Sequence, residues 1–179
     1  MRYNIDIGGL IRELPIVSIN DDTSIAFMNI VGDTELIIQA SKELCKMIPP
    51  STDYIIAPET GGIILAHQIS VDSGIPYIAV RKKLKPFMTN PISMPVKTIA
   101  TKFEQVLCIG EVEASLIKGK NILFVDEVIS SGNTLRTTEN IILKAMGNII
   151  GKICIATEGE KIEGVQSLCH IPFFKNENN

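Results

Sequence analysis

The stretch Asn121-Ile-Leu-Phe-Val-Asp126-Glu127-Val-Ile-Ser130-Ser131-Gly132-Asn133-Thr134-Leu135 runs an apolar strand into two adjacent carboxylates and then into a small-residue loop that opens a helix. Small hydroxyl residues and glycine let backbone N–H groups converge on a phosphate at the positive end of a helix. The Ser and Thr hydroxyls add donors without bulk. The carboxylates would repel that phosphate on contact, so Asp126 and Glu127 must face something else. A vicinal diol suits them, because each carboxylate accepts a hydroxyl hydrogen bond. Phosphate at one end and diol at the other describe a ribose 5-phosphate. A helix cap and a solvated turn would account for Ser130–Thr134 alone, but not for the whole array. Neither GxxxxGK[ST] nor a GxGxxG after a strand is present.

Outward from this stretch, short apolar runs alternate with helical periodicity. Tyr54–Ala57 reads as strand, Gly62–Ser73 as helix, Pro76–Val80 as strand, Asn121–Val125 as strand, Thr134–Met146 as helix and Ile149–Thr157 as strand. Continuous apolar strands alternating with helices predict an α/β fold, a Rossmann-like parallel sheet flanked by helices. Ligands in such sheets sit beyond the carboxyl ends of the strands, here the loops after Ala57, Val80, Val125 and Thr157. Upstream, Thr34–Ile48 has helical spacing, with Asp33 as N-cap and Pro49-Pro50 as stop. Residues 84–118 break the rhythm: Pro86, Pro91 and Pro95 oppose helix, while Val96–Ala100 and Phe103–Ile109 pair as a hairpin, either a binding loop or a structural arm.

The 179 residues are 45% apolar and 21% charged, which fits one globular domain, 1–179. A net charge of −3 argues against a nucleic-acid partner. The start lacks an apolar run of signal-peptide length and no segment is long enough to span a bilayer, so the expectation is a soluble, cytoplasmic protein without a membrane partner. Cys45, Cys108, Cys154 and Cys169 form no CxxC pair and read as structural thiols. His67 and His170 have no metal-ligating neighbour at a useful spacing and read as structural or surface residues.

Val125-Asp-Glu-Val-Ile-Ser-Ser-Gly-Asn-Thr-Leu135 resembles the signature of type I phosphoribosyltransferases, which bind 5-phosphoribosyl-1-pyrophosphate (PRPP). The chain departs from the commoner pattern with Glu127 in place of Asp and Asn133 in place of a second Gly. The first preserves charge, and Asn tolerates unusual backbone angles. The resemblance is closest to the adenine and xanthine enzymes. It implies transfer of phosphoribosyl from PRPP to a purine base, with Mg2+, in purine salvage and in a homodimer. It assigns Ser130, Ser131, Gly132, Asn133 and Thr134 to the 5′-phosphate, and Asp126 and Glu127 to the ribose diol and catalysis. Mg2+ is implied to meet those two acids through water, with no direct protein ligand beyond them. Val128 and Ile129 border the base.

Other segments match the family by position. Glu59-Thr60-Gly61-Gly62 corresponds to the pyrophosphate loop, and Arg81-Lys82-Lys83 resembles the VRKK segment of adenine enzymes. Arg81 and Lys83 should project to one side if the strand continues past Val80. The family further implies a hood from residues 1–32 and 158–175 and a flexible β-hairpin lid over 84–112 with Glu104 or Lys102 as its catalytic residue, while the polar tail at 176–179 reads as disordered from its composition. Asn29 matches a purine-contacting Asn of the xanthine enzymes, though an ordinary turn Asn would look the same. Enzymes for 6-oxopurines often carry Lys just after the acid that ends the last strand. Here Gly159 follows Glu158, which leans toward adenine. Phe173 or Phe174 would lie near the base. A xanthine or hypoxanthine/guanine acceptor and a non-catalytic PRPP sensor are the alternatives.

Overall fold

The computed structural model describes residues 2–96 and 105–176. Five strands, β4 (Tyr54–Pro58), β5 (Tyr77–Val80), β8 (Asn121–Ile129), β9 (Asn148–Glu158) and β10 (Gln166–Ile171), form one parallel sheet in the order β10-β9-β8-β4-β5. This is the expected α/β architecture. Alternate residues of each strand enter two separate cores. Ile55, Ala57, Leu123, Val125, Ile153 and Ile155 pack with helices α1 (Thr34–Leu44) and α2 (Gly61–Ser73). Ile56, Ile122, Phe124 and Cys154 pack with α3 (Glu111–Ile117) and α4 (Asn133–Lys144). Burial on both faces explains why these strands read as apolar runs rather than alternating ones.

Asp33 caps α1 as expected, its side chain accepting from the Leu36 N–H. A 3-10 turn, Cys45–Met47, then carries the chain to Pro49-Pro50. Arg12 donates to both Asp33 and Glu35 at 2.7 Å, fastening the amino-terminal hairpin to this helix.

A smaller antiparallel sheet holds β1 (Arg2–Ile7), β2 (Leu10–Ser18), β3 (Thr23–Ala26) and β11 (Phe174–Lys175), in the order β1-β2-β3-β11. The hood expected from residues 158–175 is therefore divided. Gln166–Ile171 lies beside β9 as the edge of the central sheet, and of this segment's strands only Phe174–Lys175 joins the small sheet. Asn176, expected to belong to a frayed tail, is instead held. Its side-chain amide donates to Ser18 Oγ and to the carbonyls of Asn20 and Asp21, and its backbone N–H donates to the Asp22 carbonyl. The rest of that tail, 177–179, lies outside the described residues.

The hairpin strands β6 (Ile92–Val96) and β7 (Gln105–Ile109) pair antiparallel, and Val96, Leu107 and Ile109 are buried against the α4 side of the core. What was expected as a lid over 84–112 is thus anchored at its base by apolar burial. Its tip, with Lys102 and Glu104, lies outside the described residues. Helix α3 was not expected, because only Ile117 of its residues is buried and its apolar pattern is correspondingly weak.

Candidate active site

Sheet order reverses between β4 and β8: the chain moves from β4 outward to β5, then crosses back to β8 and continues to β9 and β10. A crevice opens at such a switch point, beyond the carboxyl ends of the strands. The β4–β8 pairing stops at Ile56 and Phe124, whereas β9 stays paired with β8 as far as Ile129. Asp126 and Glu127 therefore lie within a strand rather than after it. On their β4 side they face the loop that enters α2.

That loop comes against them directly. A Cβ on Gly62 would stand 3.0 Å from Asp126 Oδ1, and one on Gly61 would overlap the Glu127 carboxylate. Only glycine leaves room for the acid pair here. Asp126 Oδ1 also accepts from the Glu127 N–H at 2.8 Å. Removal from water, together with the neighbouring Glu127 charge, pushes the Asp126 carboxyl up to about 8. Burial raises Glu127 as well, while Lys82 pulls both acids back toward ionisation. Two carboxyls so close, partly starved of water, are poised to accept hydroxyl donors.

The basic triplet divides. The strand ends at Val80, Arg81 makes one bridge to Cys108, and Lys82 and Lys83 lie in a bend, so simple alternation does not order their side chains. Arg81 pairs with Glu59 at 3.3 Å and stacks over Phe87, its guanidinium carbon 5.9 Å from the ring centre. Glu59 in turn accepts from the Lys82 N–H at 2.9 Å, tying the α2 loop to the end of β5. The cation felt by the acid pair is Lys82. Sequence reading put Arg81 and Lys83 ahead of it, since a bend cannot be phased from strand alternation. The Glu59–Thr60 peptide is cis.

On the other side of Asp126 lies a cavity of about 490 Å³. Ser130, Ser131, Gly132, Asn133 and Thr134 form its floor, with Val128 and Ile129 beside them. Gly132 has φ 73°, the left-handed turn that starts α4. Arg136, unnoticed in the sequence, braces this loop by donating to Ser131 O at 2.5 Å and Asn133 Oδ1 at 3.0 Å. Ile19, Ile25, Glu158 and Phe173 complete the walls. Phe173 lies close against Gly159: a Cβ on that glycine, whose φ is 71°, would fall 2.2 Å from the ring. Phe174 points elsewhere and meets Tyr3 edge-on at 5.3 Å.

Asn29 does not line this cavity. It is exposed, and its side-chain oxygen accepts from the Val31 N–H at 3.0 Å, an ordinary Asx turn. His67 meets Tyr77 edge-on and His170 bonds Thr157, away from the cavity lining.

The likeness carried by strand, acids and loop extends over most of the chain: a family described as phosphoribosyl transferase domain matches residues 31–173. The chain belongs to the phosphoribosyltransferase family. A hypoxanthine/guanine phosphoribosyltransferase of Methanococcus maripaludis is 29% identical over 71% of this chain and 65% of its own length. An adenine phosphoribosyltransferase of Methylacidiphilum infernorum is 32% identical over 68% of this chain and 65% of its own length. The chain thus spans just under two thirds of the length of these relatives. Among solved structures, adenine phosphoribosyltransferase from Rhodothermus marinus superposes with a TM-score of 0.66 at 17% identity, covering 88% of this chain and 93% of that one. The Saccharomyces cerevisiae enzyme, solved with an imino-altritol bisphosphate and adenine, gives 0.66 at 15% identity and covers 93% of each chain. At such identities these structures speak for the fold.

Proposed function

We propose that this chain transfers phosphoribosyl from PRPP to a purine, with adenine preferred, and releases pyrophosphate. The observation that carries the reading is the adjacency of these surfaces. The Gly61-Gly62 loop packs against the acid pair, and Asp126 borders the cavity lined by Ser130–Thr134, Ile25 and Phe173. That sequence of surfaces matches pyrophosphate, ribose, 5′-phosphate and a flat base.

The purine nitrogen attacks C1 as pyrophosphate departs, through a transition state with oxocarbenium character by analogy with other glycosyl transfers. Asp126 and Glu127 hold the ribose hydroxyls, backbone amides of the two loops hold the phosphates, and Lys82 offsets charge near the leaving group. Positioning and preorganised charge do most of the work. The hard carboxylate oxygens of Asp126 and Glu127 suit magnesium shared with substrate oxygens and water. When bound, that ion would offset pyrophosphate charge. Among the described residues no three metal-ligating side chains gather into a cage of their own. Adenine is favoured because Gly159 and the Phe173 ring occupy the place from which a lysine would reach a 6-oxo group. The chain is read as cytoplasmic and homodimeric with its family.

A turnover screen with PRPP, magnesium and each of adenine, hypoxanthine, guanine, xanthine and orotate tests this reading, following nucleotide and pyrophosphate. The expected result is AMP with adenine in excess over the other products. Saturable PRPP binding without turnover would overturn the catalytic reading in favour of a PRPP sensor. In calorimetry, Asp126→Asn with Glu127→Gln should abolish PRPP binding while leaving the fold intact. Unchanged affinity would sink the assignment of the diol site.

A further inference from the structure

We propose that Glu158 selects the acceptor base by accepting a hydrogen bond from its exocyclic amine, with the Ser130 hydroxyl as the second polar group of the same subsite. The proposal rests on the transferase reading of the cavity and goes beyond it by assigning the residues that choose among bases.

The polar groups around the cavity can be assigned one by one. On the transferase reading Asp126 is given to the ribose and the whole Ser131–Thr134 loop to the phosphate, and all of them line the cavity. Two side chains are left over. Glu158 closes β9 and is only 7% exposed, yet it lines the cavity. Ser130 Oγ is buried and makes no hydrogen bond of good geometry; burial raises the pKa of the neighbouring Glu158 carboxyl, and the nearness of the Ser130 hydroxyl offsets only part of that rise. None of the ion pairs among the described residues includes Glu158. A nearly buried carboxylate without a cation and a buried hydroxyl with only a poorly aligned acceptor are both costly. Both costs fall when a ligand supplies the missing partners.

The chemistry of that ligand follows from the donor inventory. An ionised carboxylate only accepts, so it takes an N–H and repels a carbonyl oxygen. A 6-aminopurine offers N–H groups where a 6-oxopurine presents oxygen. The Ser130 hydroxyl can donate to a neighbouring ring nitrogen. The remaining walls, Ile19, Ile25, Val128 and Phe173, are apolar and suit the faces of a flat ring. Gly159 cannot supply a compensating cation, because its left-handed φ and the Phe173 ring both oppose a side chain there. Amine recognition and the exclusion of a carbonyl-binding lysine are therefore built by adjacent residues.

AMP and IMP share the ribose 5-phosphate and differ at this amine or carbonyl, so their binding reads the proposal without turnover. Calorimetric affinities are to be compared for the wild type and Glu158→Gln, an isosteric change that offers both a donor and an acceptor. AMP should bind the wild type about 10-fold or more tightly than IMP, and in Glu158→Gln the ratio should fall to within about threefold of one. Ribose 5-phosphate should bind both proteins equally, which also verifies that the variant is folded. A ratio unchanged by the substitution, or a wild type that prefers IMP, would overturn the role of Glu158. Failure of the turnover screen with a normal AMP/IMP response would overturn the transferase reading alone.

Discussion

The Glu127 carboxylate fills the space that a side chain on Gly61 would need: a Cβ there would lie 1.1 Å from Oε2 and 2.2 Å from Cδ. The acid proposed to face the ribose and the loop proposed to face the pyrophosphate are thus fitted to one another. Gly61→Ala would displace Glu127 from this position. Because the displaced group is the end of a flexible chain, and alanine favours helix at the start of α2, stability should change by less than about 1 kcal/mol. PRPP-dependent kcat/KM should nevertheless fall by roughly 10-fold or more, since misplacement of order 1 Å is enough. Thermal melts beside steady-state kinetics separate the two effects. Equal catalytic losses and melting losses would point to misfolding instead.

Asp126 makes folding depend on pH. In the folded protein its carboxyl keeps a proton up to about 8, against an ordinary value of 3.8. The folded state therefore binds more protons than the unfolded chain across that interval. The stability this confers is fully present below about 4 and is lost as pH rises to about 8. In magnesium-free buffer, Asp126→Asn should flatten the decline and be more stable than wild type at pH 8, by about 1–3 kcal/mol. Denaturant titrations at pH 5 and 8 measure the difference. Parallel pH profiles in the two proteins would show that Asp126 is not the group responsible.

Arg136 holds the loop proposed for the 5′-phosphate from outside, through Ser131 O and the side chain of Asn133, one of the two residues that depart from the family signature. Losing two hydrogen bonds from a cation, Arg136→Ala should weaken ribose 5-phosphate binding by about 1–2 kcal/mol. Arg136→Lys should fall between, because lysine keeps the charge but not the planar fork. The side chain is exposed, so folding should be unaffected. Calorimetry on the three proteins decides it; identical affinities would leave Arg136 a surface residue.

The parallel sheet was legible because its strands are buried on both faces and so stand out as apolar runs. The end of β8 was not. Two carboxylates look like the close of a strand, yet β9 keeps bonding to β8 through Ile129 and carries them into the sheet. Asn29 misled for the opposite reason. An amide that could meet a purine instead satisfies the backbone of Val31, a choice that local sequence leaves open. Gln166–Ile171 was assigned to the hood because a short strand of mixed polarity shows nothing of which sheet it will join.

From the sequence alone came the strand, the acid pair and the loop proposed for phosphate in Asn121–Leu135. They are neighbours in the chain, and their chemistry depends on backbone spacing that local sequence dictates. The slot proposed for the base is different. Ile19, Ile25, Glu158 and Phe173 come from distant segments and share one cavity only because β3 and β11 pair across the top of the central sheet. Tertiary structure also set Glu127, within β8, against Gly61, at the start of α2. Such contacts depend on how strands are ordered in space, which no periodicity along the chain records.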